Sequence, residues 1–163
     1  MRFFFINLFL WFGFEANAFT YMGVSLCEKS NPTSIIQNIK KFNVDEITVK
    51  SYGYRELEEV INFKILINGV QSKSSVRIIS SKILSLTFEL TEDKQLTFLE
   101  KIFGKSIYSE KFISSFEEVD MKIYESKEDV KIFYGINNKG NQSKFFQIEC
   151  KKLMEEYFSK PKK

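Results

Sequence analysis

Histidine is absent from the 163-residue sequence. Its absence excludes the Ser-His-Asp and Cys-His catalytic machineries and the usual His-containing zinc sites. Acid–base chemistry is then left mainly to carboxylates, but the adjacent pairs Glu58-Glu59 and Glu117-Glu118 lie in strand-like sequence, where neighbouring side chains point to opposite faces. They are poor candidates for a dyad, which needs two carboxyls around one substrate. We therefore predict no catalytic residue, no cofactor and no metal site.

The sequence also lacks an excess of charge of one sign. It contains 24 Lys and Arg residues against 21 Asp and Glu residues, a net charge of +3. The pairs Lys40-Lys41 and Lys151-Lys152 are interleaved with acidic residues. A nucleic-acid-binding domain shows basic residues clustered on one face. We therefore predict no nucleic-acid partner.

Long apolar runs are missing everywhere except at the start of the chain. Residues 3–14 are apolar apart from Asn7 and Gly13, and Arg2 precedes them. Ala16-Asn17-Ala18 then fits the small-x-small pattern that signal peptidase accepts. About 20 residues are needed to cross a bilayer, so an uncleaved anchor is the less favoured alternative. We predict a signal peptide at residues 1–18, cleavage after Ala18, a periplasmic or secreted mature protein and no stable membrane span.

Cysteine occurs only at Cys27 and Cys150. In an oxidising compartment, two cysteines are expected to form one disulfide. Two buried thiols that act as small hydrophobic side chains are the alternative. Because export and pairing are mutually consistent, we predict the Cys27–Cys150 bridge.

Residues 82–105 carry the clearest structural pattern. Alternating apolar residues from Leu84 to Leu90 predict a strand, and apolar residues at helical spacing from Leu96 to Phe103 predict a helix. Thr91 offers a side-chain oxygen as the N-cap, and Gly104 can end the helix.

Similar patterns precede this unit. Asn31 before Pro32 predicts the start of a helix that runs through about residue 42. Alternation from Leu57 to Ile67 predicts a strand, and Asn68-Gly69 predicts a type I′ hairpin turn.

After residue 105 we predict three strands, a loop and a closing helix. The strands are centred on Met121, Ile132 and Ile148, a polar loop occupies residues 135–143, and the helix runs from Leu153 to Phe158. Runs of consecutive strands with short turns predict an α+β fold, mainly antiparallel, with helices packed on one face of the sheet. Helix followed by strands occurs twice, which indicates a degenerate two-fold repeat of helix plus three strands. We predict one domain at residues 19–159 and a basic disordered tail at residues 160–163.

Gly23 before the first helix, and the helix end Ile102-Phe103-Gly104-Lys105 ahead of a second set of strands, accompany this element order. In these features the chain resembles the tandem helix-plus-antiparallel-sheet proteins of the bacterial envelope, of which β-lactamase inhibitor protein is the best-known type. The resemblance implies a non-catalytic, protein-binding scaffold. The chain lacks the tryptophan positions and internal cysteines of those proteins, so no binding residue is carried over.

Aromatic residues are the one excess in the composition, at 16%. Most are expected in the core. Tyr52, Tyr54, Tyr108 and Tyr124 have polar neighbours and are candidate interface residues, because tyrosine is enriched at protein interfaces.

We predict an exported, non-catalytic protein that binds a protein partner, most concretely an inhibitor or immunity protein. The second hypothesis is an envelope protein that binds a small molecule, lipid or glycan. The third is a hydrolase that uses carboxylates alone.

Overall fold

The computed structural model describes residues 20–53, 57–113, 117–124, 129–139 and 142–159. The predicted signal peptide, its cleavage site, Tyr54 and the tail at residues 160–163 lie outside these ranges.

Ten strands and three helices make up the described parts of the chain, and the predicted α+β class is confirmed. A short hairpin of two strands comes first, and eight strands form one antiparallel sheet in the order β3-β4-β5-β6-β10-β9-β8-β7. In chain order the elements are β1 Thr20–Tyr21, β2 Val24–Ser25, α1 Pro32–Ile39, β3 Asp45–Tyr52, β4 Glu58–Ile67, β5 Val70–Ile79, β6 Lys82–Leu90, α2 Asp93–Phe103, β7 Ser106–Ile113, β8 Glu118–Tyr124, β9 Val130–Asn137, β10 Ser143–Cys150 and α3 Lys151–Ser159.

Local sequence signals specify α1 and the β4–β5 hairpin as predicted. The Asn31 side chain accepts a hydrogen bond from the Ser34 backbone N–H at 3.0 Å, and Pro32 occupies the first turn of α1, where its missing N–H is not needed. Asn68 and Gly69 have φ values of 51° and 76°, the left-handed conformation that a type I′ turn requires. The hairpin therefore fixes the register of β4 against β5.

Helix α2 begins one residue later than its predicted cap. Glu92, not Thr91, is the N-cap residue. The side chain of Gln95 reaches back, and its Oε1 accepts hydrogen bonds from the backbone N–H groups of Thr91 at 2.8 Å and Glu92 at 3.0 Å. Gln95 thus satisfies donors that would otherwise lack partners at this helix end. Gly104 ends the helix at a φ of 85°, as predicted.

Strand β7 was not predicted, and strand β9 is longer than predicted. Residues 106–113 do not alternate strictly between apolar and polar. One extra residue is present where the register against β8 shifts, between Ser106 and Tyr108. Strand β9 continues through Asn137 into the predicted loop, because Gly135 pairs with both Met121 and Phe145.

The second half of the chain therefore matches the first in its order of elements. Helix α1 precedes four consecutive antiparallel strands, β3 to β6, and α2 precedes four more, β7 to β10. The two four-stranded units meet where β6 pairs with β10, in a register that sets Phe88 opposite Phe146 and Leu86 opposite Ile148. The predicted repeat of helix plus three strands is thus one of helix plus four strands.

The hydrophobic core lies on the face of the sheet that α1 and α2 cover. Ile35 and Ile39 of α1 and Leu99 of α2 are at most 1% exposed and belong to one apolar cluster with sheet residues. The main sheet members of this cluster are Ile61, Phe63, Val76, Ile78, Leu86, Phe88, Tyr124, Ile132, Tyr134, Phe146 and Ile148. The disulfide between Cys27 and Cys150 is present, with a Cα–Cα distance of 5.4 Å, and it joins the N-terminal segment to the end of β10. That predicted bridge is confirmed.

Candidate functional site

The face of the sheet opposite α1 and α2 is the candidate site, and we call it the open face. Directly paired residues in an antiparallel sheet point to the same face. Phe146 and Phe88 point into the core, so their neighbours Phe145 and Glu89 point to the open face. By the same register, the open face includes Lys50, Lys64, Lys73, Arg77, Thr87, Tyr108, Glu110, Phe112, Met121, Phe133, Phe145 and Gln147.

One end of the open face is occupied by α3. The Tyr157 hydroxyl donates a hydrogen bond to Glu58 Oε2 at 3.3 Å, and the ring centroid of Tyr157 lies 5.4 Å from Cζ of Arg77. Arg77 also binds both oxygens of Glu58, at 2.6 and 3.1 Å. This bidentate ion pair, capped by an aromatic ring, fixes the C-terminal part of α3 against β4 and β5.

The half of the open face formed by β3 to β6 is polar, and we call it the polar half. Its charges are largely paired across strands: Lys64 lies 2.6 Å from Glu46, and Arg77 pairs with Glu58. Lys73 and Glu89 are exposed on the central strands. Ion pairs at a protein surface contribute little to stability. The paired residues and the exposed Lys73 and Glu89 can therefore interact with a partner at little cost to the fold.

The half formed by β7 to β10 is aromatic, and we call it the aromatic half. Phe133 and Phe145 meet edge to face, with ring centroids 5.9 Å apart. Phe145 stands opposite Gly135, and its ring fills the space where a side chain at that position would lie, since a Cβ there would be 2.5 Å from the Phe145 Cζ. Phe112, at the sheet edge, is 48% exposed, and Met121 is half-buried. Phe133 is only 6% exposed and Phe145 is half-buried, so this apolar surface on β7 to β10 is only partly exposed.

Charged groups border the aromatic half on the side of α3. The Lys131 Nζ donates a hydrogen bond to Glu110, and it lies 5.4 Å from the ring centroid of Phe133. Glu149 is only 8% exposed, and its Oε2 accepts a hydrogen bond from the Gln147 amide at 2.8 Å. Burial raises the pKa of the Glu149 carboxyl, and the nearby Glu110 adds to the rise, while Gln147 and Lys131 oppose it.

A cavity of about 540 Å³ lies between α3 and the ends of β7 to β10. The buried Glu149 carboxyl and Lys131 form part of its wall. The other lining residues are Ile107, Tyr108, Ile123, Tyr124, Lys151, Met154 and Glu155.

The predicted interface tyrosines have separate locations. Tyr52 and Tyr108 are on the open face and are 48% and 52% exposed. Tyr124 is fully buried, and its hydroxyl donates a hydrogen bond to Glu100 at 2.9 Å, so it belongs to the core and cannot contact a partner. Its polar sequence neighbours misled the prediction, because the face is set by strand pairing: Tyr124 stands opposite the core residue Ile132.

Sequence reasoning missed the phenylalanines of the aromatic half. Phe145-Phe146 and Phe133-Tyr134 are adjacent aromatic pairs. In a strand, two consecutive large apolar residues must point to opposite faces, so one of each pair has to lie away from a one-sided core. That signal was present in the sequence and could have identified Phe133 and Phe145.

Fold and site together define an α+β protein with an eight-stranded antiparallel sheet. Helices α1 and α2 cover one face as predicted, whereas α3 lies at one end of the other face. The chain matches no family model, no curated protein and no solved structure at a significant level. None of the helices in the described ranges is long and apolar enough to cross a membrane.

Proposed function

We propose that this is a non-catalytic binding protein whose open face holds a protein partner, acting as an inhibitor or immunity protein after export. The observation that carries the proposal is the aromatic half of the open face, where Phe112, Met121 and Phe145 leave accessible apolar area on the side of the sheet away from α1 and α2. The envelope-protein resemblance and the disulfide support the exported setting, because disulfides persist in oxidising compartments.

The layout of the open face matches the anatomy of a protein interface. Such interfaces have an apolar, aromatic centre and a polar rim, and a few aromatic residues supply most of the binding energy. Here Phe145 would be the central anchor, and the polar half would supply part of the rim. Eight strands about 4.8 Å apart span roughly 34 Å, wide enough for a partner of ordinary interface size.

The aromatic half is also prepared in advance of binding. The Phe145 ring is held between Gly135 beneath it and the edge of Phe133. A side chain that is already fixed loses little conformational freedom when the partner arrives, which favours affinity.

The test is capture of a partner from envelope extract of the source cells, followed by titration of the purified partner against variants. We expect Phe145→Ala and Met121→Glu each to weaken binding by about tenfold or more, as hot-spot substitutions do. Ile113→Ala is the matched control, because Ile113 is 66% exposed but points to the other face of the sheet. Circular dichroism confirms that each variant is folded.

Two results would overturn the proposal. One is the absence of any stoichiometric protein partner in the extract. The other is a partner whose affinity is unchanged by both open-face substitutions.

The cavity beside α3 favours a second candidate function, the binding of a small molecule. Its wall combines the buried Glu149 carboxyl with apolar groups of Ile123 and Met154. A ligand with a hydrogen-bond donor on an apolar body would match this lining. Native mass spectrometry of the purified protein would reveal such a ligand, and Glu149→Ala should abolish its retention.

A further inference from the structure

Strand β7 forms one edge of the eight-stranded sheet, and it is unusually apolar for an edge. Its exposed large apolar residues are Ile107 at 60%, Tyr108 at 52%, Phe112 at 48% and Ile113 at 66%. On the side away from β8, alternate residues of an edge strand present backbone N–H and C=O groups without a strand partner. A long, apolar edge without protection is a site for pairing with another strand.

The opposite edge strand, β3, has features that discourage pairing with another strand. Its register against β4 is interrupted between Asp45 and Thr48, and Glu46 has a φ of 52°. A bulge and charged side chains both discourage the approach of another strand. Strand β7 also has a register shift and two charged residues, Glu110 and Lys111, but its shift lies only at its start, between Ser106 and Tyr108. From Tyr108 to Ile113 it pairs regularly with β8, so its backbone is regular over these six residues.

The sequence of β7 is chemically symmetric about Glu110. Reading outward in both directions, polar Ser109 matches Lys111, aromatic Tyr108 matches Phe112, and Ile107 matches Ile113. An antiparallel pair of identical strands centred on Glu110 would place each residue from Tyr108 to Phe112 opposite its match, while Ile107 lies at the register shift outside this regular segment. Tyr108 and Phe112 are both on the open face, so the aromatic rings of the two copies would meet twice across the junction.

We propose that two copies of this chain pair antiparallel through β7, with a two-fold axis at Glu110, to form one continuous sixteen-stranded sheet. A two-fold axis perpendicular to the sheet keeps the same face outward in both copies, and it makes the interface self-complementary. Within the described ranges no strand pairs with the outer side of β7, and its outward backbone groups gain partners in the pair. The open faces of the two copies become continuous. This proposal does not depend on the proposed function.

At the centre of the pair, the axis brings Glu110 close to the Glu110 of the second copy. Like charges directly opposite in a sheet are destabilising. Each Glu110 carboxylate already accepts a hydrogen bond from Lys131 of its own chain, which compensates its charge. The pairing therefore retains a neutral centre flanked by apolar contacts.

The first experiment tests the register. Directly opposite residues of an antiparallel pair have Cα atoms about 4.5–5.5 Å apart, within the range of a disulfide. In the Glu110→Cys variant, the introduced cysteine faces its own copy across the axis, so we expect a covalent dimer on a non-reducing gel after mild oxidation. Lys111→Cys on the same strand and Tyr52→Cys on the β3 edge are the controls, and we expect both to remain largely monomeric on the gel. Equal cross-linking of all three variants, or none with Glu110→Cys, would overturn the proposal.

The second experiment measures the oligomer without cross-linking. By sedimentation equilibrium the protein should have twice the mass of one chain. Phe112→Glu should raise the dimer dissociation constant by about tenfold or more, because the two-fold axis makes the change count twice. Tyr52→Glu is the matched control, since Tyr52 is an aromatic residue of the same 48% exposure on the other edge, and it should leave the constant unchanged. A protein that stays monomeric, or chains of copies that grow without limit, would refute the two-fold pairing.

Discussion

Gly135 and Phe145 show how a single missing side chain shapes the candidate binding surface. Gly135 lies in a regular strand with pairs on both sides, and the ring of its partner Phe145 covers it. Glycine in a strand is normally unfavourable because it adds no packing. Here the Phe145 ring supplies that packing, because the missing side chain of Gly135 lets the ring lie directly on the backbone of β9.

We expect Gly135→Ala to destabilise the protein by about 1–3 kcal/mol, the range found for overpacking. The new Cβ would lie 2.5 Å from Phe145 Cζ, so the ring has to move. Urea denaturation measures the change. Gly53→Ala is the control, since a Cβ at position 53 has no atom within 4 Å, and it should shift stability by less than about 0.5 kcal/mol. Equal effects of the two substitutions would mean that the contact with Phe145 carries no weight.

Glu149 is a buried acid on the open face whose charged form the fold disfavours. Burial raises the pKa of its carboxyl from the ordinary value of 4.5. Between that value and the raised pKa, the folded state binds more protons than the unfolded state. The Glu149 contribution to folding stability therefore falls as pH rises through this window.

Glu149→Gln removes this titration while it keeps an oxygen that can accept the hydrogen bond from Gln147. We expect the variant to gain stability relative to the parent as pH rises above 4.5, and to show no gain at lower pH, where the parent carboxyl is also neutral. Thermal unfolding of both proteins across the pH range measures the difference. A difference that stays constant with pH would show that the fold does not perturb this carboxyl.

At the scale of elements, the start of α2 depends on a side chain from within the helix. Gln95 is fully buried; its Oε1 accepts from two backbone N–H groups, and its Nε2 donates to the Val70 carbonyl at 3.4 Å. It therefore ties the helix both to its own preceding turn and to the start of β5. Thr91, the residue that sequence alone favours as the cap, is exposed.

We expect Gln95→Ala to destabilise the protein by about 1–3 kcal/mol, because it leaves the partly buried N–H groups of Thr91 and Glu92 without their acceptor. Thr91→Ala should cost less than about 0.5 kcal/mol, as surface substitutions usually do. Urea denaturation of both variants makes the comparison. The reverse order of the two effects would restore Thr91 as the cap.

Strand β7 is an element that the sequence pattern did not predict. Edge strands have little burial on either face, so they lack the strict alternation that marks β4 or β6. Ile107, added where the register shifts, also breaks the period of two. By contrast, α1 and the β4–β5 hairpin were predictable because Asn31, Pro32, Asn68 and Gly69 act through local backbone geometry.

Besides the shared core and the contacts of α3 with β4 and β5, two connections in the described parts of the chain join the two halves of the molecule. One is the pairing of β6 with β10, and the other is the Cys27–Cys150 disulfide, which spans 123 residues of sequence. The disulfide also fixes the residue directly before α3, so it helps to position that helix at the end of the open face.

We expect the double substitution Cys27→Ala/Cys150→Ala to lower the free energy of unfolding by about 5 kcal/mol, from the chain-entropy relation for a loop of this length. Reducing agent should lower the melting temperature of the parent protein to about that of the double variant. The double variant is the control, because reducing agent should leave its melting temperature unchanged. A parent protein insensitive to full reduction would show that sheet packing alone sets the stability.

The start of α1 and the tight hairpin could be predicted from the sequence, because each depends on side chains within a few residues of one another. The α+β class followed from the order of such local patterns, and the disulfide from there being only two cysteines. Four features emerge only from the folded chain: β6 pairs with β10, β7 lies at an edge, Tyr124 is buried while Phe112 is exposed, and Phe145 packs on Gly135. Those outcomes depend on which distant strands pair, and the free energy of that choice comes from burial shared between segments far apart in the chain.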